Sequence, residues 1–531
     1  MASYLLSECL EIIFLNLTEY PSSYITINIP TKDLHSCTLV SRHWCKISTS
    51  FLYAYPFHHF RSDICQRQYY KLIRTLLGCI PQFEIKQINR TYKQDVQSDS
   101  LSTFNYISFI RGLIFHEMMF KPEMICKHSN KDIWLAEYNP ERISYNLTIT
   151  IMNHLIRFIC KHCNDLSILE FSSGIKNDDD LIKLLTFNDS NGKNKLNKLK
   201  ELYYYNADYN LVDNLYLTSL DNICNLKLFY LFNGEINTIE KANSLSLFIS
   251  SQKQLQHVIL SGVYQNQSLI IVRFFMNLLS KAGKPYYVNN LINSLSTQSE
   301  SLQILEFRYF VTKLIDNKVL NSLNSLKNIR ELKFYRCENI DNLYLWVKNL
   351  KKLETFEFTM GDIRISEINL IQLIQSFPSG LNKLIINDDY EKSNFTQLFQ
   401  QIPLYLHSLT HLELPKIFLP ELISIIESCT RLIYLAIILI NDVYQEENLK
   451  NLGESISKTL RRIKFKSIQS TISMELLNYF LEAYAINGGT LKYLELEYCN
   501  SFRDYRDYIK VIGEQYGVHI IETFTSESKI Y

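Results

Sequence analysis

The chain has 531 residues, too many for one compact domain unless it folds as an extended repeat array. Its Lys and Arg (55) and its Asp and Glu (54) nearly cancel, which removes any bulk electrostatic case for a nucleic-acid or acidic-membrane partner. Apolar residues make up 47% and aromatic residues 13%, while Gly (14) and Pro (11) are few, so ordered elements joined by short loops are expected and global disorder is not.

The first element is a helix. Leu6, Cys9/Leu10, Ile13 and Leu17 recur at steps of three and four and form one apolar stripe. This apolar start has no basic leading region and is interrupted by Glu8 and Glu11, so it does not read as a secretory signal. Residues 18–32, with Pro21 and Pro30, read as a loop. Asp33 is placed to cap a second helix, in which Leu34, Cys37, Val40, Trp44, Ile47 and Phe51 line one side. Leu52-Tyr53 and Pro56-Phe57 close the unit.

A helix of the form apolar-Glu-Cys-Leu, a loop, and then Asp33-Leu-x-x-Cys37-x-Leu39-Val40-x-Arg42-x-Trp44 resembles the F-box. In that family the short helical unit docks a Skp-type adaptor and, through it, a cullin. The resemblance implies that Leu5, Leu6, Cys9, Leu10, Ile13, Leu34, Leu39, Val40 and Trp44 stand at adaptor-facing or core positions. Leu6 replaces the proline usual after the first leucine, and the inter-helix loop, with Ile25, Ile27 and Ile29 alternating, is longer than usual. Two amphipathic helices at an N-terminus are, from periodicity alone, more often a cap on a repeat array than a docking site.

Residues 60–164 carry no clear repeat. Tyr69–Leu77 reads as a helix stopped by Pro81, residues 91–102 as a polar loop, 107–115 as strand and helix of a degenerate repeat, and 149–163 as a helix. Cys160-Lys-His162-Cys163 is half of a zinc pattern without a second pair, so no metal and no cofactor are expected. The twelve cysteines show no framework spacing and read as reduced, buried residues of a cytoplasmic or nuclear protein. No run is long and apolar enough for a membrane helix.

From Leu166 onward one phrase dominates: three apolar residues at i, i+3 and i+5. It occurs at Leu166/Leu169/Phe171, Leu199/Leu202/Tyr204, Leu226/Phe229/Leu231, Leu255/Val258/Leu260, Leu302/Leu305/Phe307 and Ile329/Leu332/Phe334. It continues at Leu353, Leu381, Leu409, Leu432, Leu460 and Leu491, mostly 23–33 residues apart, with one interval of 47 that leaves room for an extra helix near Gly283-Lys-Pro285. This resembles the leucine-rich repeat. One strand-plus-helix unit cannot bury its own apolar side, whereas stacked units bury each other's. The expected fold is α/β: a short N-terminal helical F-box, then a curved solenoid with parallel strands on the concave side and helices on the convex side. The expected divisions are 1–59 (F-box), 60–164 (linker and cap) and 165–525 (repeats).

Residues alternating with the buried strand positions face the concave side. They include Tyr203, Tyr205, Tyr230, Glu306, Arg308, Lys333, Tyr335, Glu357 and Glu413, which read as a client surface, aromatic first and charged later, with Glu306, Glu357 and Glu413 selecting basic groups. Asp178-Asp-Asp180 and Asp388-Asp389 read as solvated, helix-capping clusters, and the basic run Lys193–Lys200 as a solvated loop. No nucleotide-binding or hydrolase motif is present, so the chain is not expected to be an enzyme. The expected function is a substrate-recruiting subunit of a Skp–cullin–F-box ubiquitin ligase that binds neither nucleic acid nor membrane. The alternative is a repeat scaffold with no ligase link.

Overall fold

The structure is a computed structural model that describes residues 5–18, 31–57, 69–81, 104–115, 145–163, 166–171, 196, 198–205, 221–229, 239–262, 286–309, 317–337, 342–360, 366–388, 395–439, 446–466, 474–497 and 506–523. The chain divides into two units, residues 1–236 with 251–255, and residues 237–250 with 256–531.

Unit one opens with three helices, α1 (Ser7–Thr18), α2 (Thr31–Thr38) and α3 (Arg42–Leu52). The single helix expected from Asp33 onward is in fact two. Ser41 is extended, and its hydroxyl accepts the Trp44 N–H at 3.2 Å, so it starts a new helix and leaves Leu39 and Val40 in the turn before it. Asp33 lies within the first turn of α2 rather than ahead of it. Leu10, Phe14 and Leu34 form the centre of this unit, with Trp44, Ile47 and Phe51 against them. The Phe14 ring meets Trp44 and Phe51 edge-on at 5.7 and 5.8 Å, an arrangement favoured by the ring quadrupole.

Four parallel strands follow in sequence order: β1 (Gly112–Phe115), β2 (Ile168–Phe171), β3 (Glu201–Tyr205) and β4 (Asn225–Phe229). Residues 107–115 give a short 3₁₀ turn and then β1, not a strand followed by a helix. Ile110, Leu113 and Phe115 are buried at the repeat spacing, so this is a further copy of the phrase. The frame at β4 also differs from expectation. Leu226 pairs with Leu202 and Leu228 with Tyr204, so the buried phrase is Ile223/Leu226/Leu228, three residues earlier than Leu226/Phe229/Leu231.

The Ala54 carbonyl accepts the N–H groups of Arg111 (2.7 Å) and Gly112 (3.1 Å), and Tyr53 lies 4.3 Å from the Tyr106 ring. The C-terminal end of α3 is thereby fastened to the start of the sheet. Cys163, after helix Tyr145–His162, is buried and donates its thiol to the Ile110 carbonyl at 3.0 Å, while His162 packs on Phe158 at 4.2 Å.

Unit two carries ten parallel strands in sequence order: β5 (His257–Ser261), β6 (Ile304–Arg308), β7 (Glu331–Tyr335), β8 (Thr355–Met360), β9 (Lys383–Asp388), β10 (His411–Ile417), β11 (Tyr434–Leu439), β12 (Arg462–Lys466), β13 (Tyr493–Glu497) and β14 (His519–Thr523). Each expected phrase from Leu255 to Leu496 is buried here. A recurring pair of bonds locks the register. The N–H groups of Ile433 and Tyr434 both donate to Thr410 O (2.8 and 3.0 Å), those of Arg461 and Arg462 to Ile433 O, and those of Lys492 and Tyr493 to Arg461 O. The pairing shifts in β10 between Glu413 and Lys416, where Pro415 has no N–H to give.

Helices between the strands pack on one another over the buried side of the sheet. Gly453, in helix Glu446–Ser455, permits close approach to helix Met474–Ile486, since a Cβ there would lie 2.5 Å from the Phe480 carbonyl oxygen. Trp346 is buried and donates its indole N–H to Leu323 O at 3.0 Å. This is the parallel α/β solenoid of leucine-rich repeats.

Candidate protein-interaction surfaces

Two surfaces concern the expected sites. The first is on α1–α3. Leu10 and Leu34 are fully buried, so of the two roles expected of them, adaptor-facing or core, the core one is theirs: they hold the helices together. Trp44 is half-buried on the same core. Exposed instead are Leu6 (68%), Leu39 (75%), Val40 (52%) and, less fully, Leu5 and Ile13, with Cys9 beside them. Ile12 (60%) and Leu15 are exposed too. They fall off the apolar stripe that marks the helix in the sequence. That position is itself a signal, since a helix burying one face in its own unit has no use for isoleucine and leucine on the other. The loop residues Ile25, Ile27 and Ile29 lie outside the described residues.

The second is the sheet face that the repeat leucines leave; much of its central column is buried rather than open, the expected client residue Glu306 (7% exposed) included. In unit one its central column is Ile114, Glu170, Tyr203 and Lys227, in register across β1–β4. Lys227 therefore holds the place expected for Tyr230, which lies outside the described residues. Tyr203 donates its hydroxyl to Glu201 at 2.9 Å and accepts from the Lys227 ammonium at 3.0 Å; that ammonium also lies 4.4 Å from the ring centroid. Tyr203 is thus tied into a Glu–Tyr–Lys chain, a different state from a ring standing clear for a client. Tyr205 pairs with Phe229 in the backbone register.

In unit two the column runs Ile259, Glu306, Lys333, Glu357, Ile385, Glu413, Ala436, Lys464, Glu495 and Ile521. The acidic residues expected to select basic client groups already have cations of this chain. Arg308 pairs with Glu306, Lys333 (3.5 Å) and Lys383 (2.9 Å) with Glu357, and Lys466 (2.5 Å) with Glu413. Burial disfavours the charge on Lys333, but the carboxylates of Glu357, Glu331 and Glu306 outweigh it and raise its pKa. Two guanidinium groups lie over the Tyr335 ring, Arg308 at 5.7 Å and Arg336 at 5.3 Å from its centroid. These three carboxylates thus already carry cations of the chain itself, with which a basic group of a client would compete.

Among the described residues no group of three or more His, Cys, Asp or Glu could hold a metal ion, and no helix is long and apolar enough to cross a membrane. Asp178–Asp180 and Asp389 lie outside the described residues.

No protein-family model and no curated protein matches the chain. Among solved structures it is similar to the leucine-rich repeat-containing protein LegL7 from Legionella pneumophila, at 15% identity and a TM-score of 0.34, over 59% of this chain and 87% of that one. It is also similar to the yeast Rad7 and Elc1 complex, at 16% identity and a TM-score of 0.37, over 66% of this chain and 83% of that one.

Proposed function

We propose that the chain is a substrate-recruiting subunit of a Skp–cullin–F-box ubiquitin ligase, with α1–α3 docking a Skp-type adaptor and the repeats holding a client. The observation that carries this reading is the exposed apolar set Leu6, Ile12, Leu39 and Val40 on a small helical unit whose centre is already filled by Leu10, Phe14 and Leu34. Such side chains gain nothing in water, and roughly 1.5–3 kcal/mol each becomes available if a partner groove buries them. The chain performs no bond chemistry in this role; it contributes proximity and orientation of the client.

The second reading, a scaffold whose front helices are a cap, has support in the bonds from Ala54 to Arg111 and Gly112. Those contacts engage only the C-terminal end of α3. Leu39 and Val40 stand at its other end and stay open. Co-purification with a Skp-type adaptor separates the two. The ligase reading expects capture by the wild-type chain and none by Leu39→Asp with Val40→Asp; capture that is absent from the wild type, or unchanged in the variant, favours the cap.

A further inference from the structure

In unit two the chain turns along one edge of the sheet between each helix and the strand after it. In four consecutive repeats these turns, with the first strand residue, are 406–411, 429–434, 456–462 and 487–493, leading into β10, β11, β12 and β13. They contain no Asp or Glu. They carry the cations Arg431, Lys458, Arg461, Arg462 and Lys492, all exposed, besides His407 and His411. The paired N–H bonds from each turn to the one before place these residues side by side. Parallel strands are spaced about 4.8 Å apart, so the edge is about 15 Å long.

Little of this charge is cancelled. Arg462 pairs with Glu495, and Arg461 donates to the Thr490 carbonyl at 3.0 Å, which fixes its direction but leaves its charge. Arg431, Lys458 and Lys492 have no ion-pair partner among the described residues. Helix dipoles favour a cation just past a helix C-terminus, which accounts for Arg431 and Lys458. It does not account for Arg461, Arg462 and Lys492, which sit at the strand entrances. A near-neutral total conceals this segregation.

Ile433 and Tyr493, each 42% exposed, stand among these cations. The Arg462 guanidinium covers the Tyr434 ring at 5.7 Å, and Tyr493 meets His519 edge-on at 5.9 Å. The edge therefore offers aliphatic and edge-held contacts between charges, not the open rings on which nucleic-acid bases stack.

We propose that the β10–β13 edge docks an extended, acidic polypeptide segment carrying an apolar side chain that meets Ile433 and Tyr493. The inference deepens the client reading by naming the client's chemistry, but it needs no adaptor. The test is fluorescence anisotropy of the full chain with a synthetic peptide of alternating Glu and Leu, alongside an oligothymidine of similar charge. The wild type is expected to bind the peptide, and Arg461→Glu with Lys492→Glu to bind it at least about tenfold more weakly. Lys348→Glu with Lys510→Glu, the same charge change in unit two outside these four turns, is expected to bind as the wild type does. Thermal melts of both variants check that the fold is kept. A wild type that ignores the peptide, equal loss in both variants, or an unchanged Arg461/Lys492 variant overturns the proposal. Oligothymidine bound more tightly than the peptide replaces it with a nucleic-acid surface. Adaptor capture scored on the same preparation keeps the two failures apart: capture lost with peptide binding retained removes the ligase reading alone.

Discussion

Lys466 on β12 reaches the Glu413 carboxylate on β10 at 2.5 Å and Asn387 on β9 at 3.0 Å, spanning β11, whose residue in register with Glu413 is Ala436. One side chain thereby ties together three strands across a span of four successive repeats. Both charges are about four-fifths buried, with 19% and 20% of the side chains exposed, so removing one leaves the other poorly solvated. Lys466→Met is expected to cost about 1–3 kcal/mol in urea unfolding. Lys466→Met with Glu413→Gln should cost less than the two single changes together. Additive costs would show that the contact carries no coupling.

The front helices separate folding from binding by residue. Phe14 is fully buried between Trp44 and Phe51, and Phe14→Ala should cost about 3–5 kcal/mol. Leu39 and Val40 lie in an exposed turn, and changing both to Asp should leave unfolding within about 0.5 kcal/mol of the wild type. A large loss from the turn substitutions would mean that these residues pack against something in the chain after all.

Gly453 is required for space rather than for backbone freedom. Its missing Cβ would meet the Phe480 carbonyl oxygen at 2.5 Å and the Tyr484 nitrogen at 2.9 Å, both backbone atoms with no rotamer to change. Gly453→Ala, normally helix-favouring, should instead destabilise by about 1–3 kcal/mol. A rise in melting temperature would show that the two helices stand further apart.

Burial pushes the Cys429 thiol up to about 11 from the usual 9.0. A raised thiol pKa favours the neutral form in the fold. The associated stability is therefore intact below pH 9 and falls away as pH climbs through 11. Alkylation at pH 8 should modify the exposed Cys9 and leave Cys429 untouched until urea unfolds the chain. Modification of Cys429 in the folded protein at the rate of Cys9 would contradict its burial.

The repeat array was legible because its signal is local. Leu332 and Phe334 are two residues apart and face one core, and the same spacing recurs down the chain. Where two frames both satisfied the phrase, as at Ile223/Leu226/Leu228 and Leu226/Phe229/Leu231, pattern alone could not choose, and the register to β3 did. The Ser41 cap was readable in principle, as a hydroxyl three residues ahead of Trp44, but an apolar stripe running on through Val40 masked it. The ion-pair partners were not readable. Lys466 and Glu413 are 53 residues apart, and only strand stacking brings them together. The basic edge was hidden for the opposite reason, because totals of 55 and 54 erase a segregation of sign that becomes visible only once turns are aligned.

Docking of a Skp-type adaptor on the exposed apolar face of α1–α3 is decided by calorimetric titration of the full chain with purified adaptor. Saturable binding with a negative heat-capacity change is expected, as burial of Leu39, Val40, Leu6 and Ile12 requires, and no measurable heat with the Leu39→Asp, Val40→Asp chain. An adaptor that gives no heat with the wild type, or the same isotherm with both chains, contradicts it.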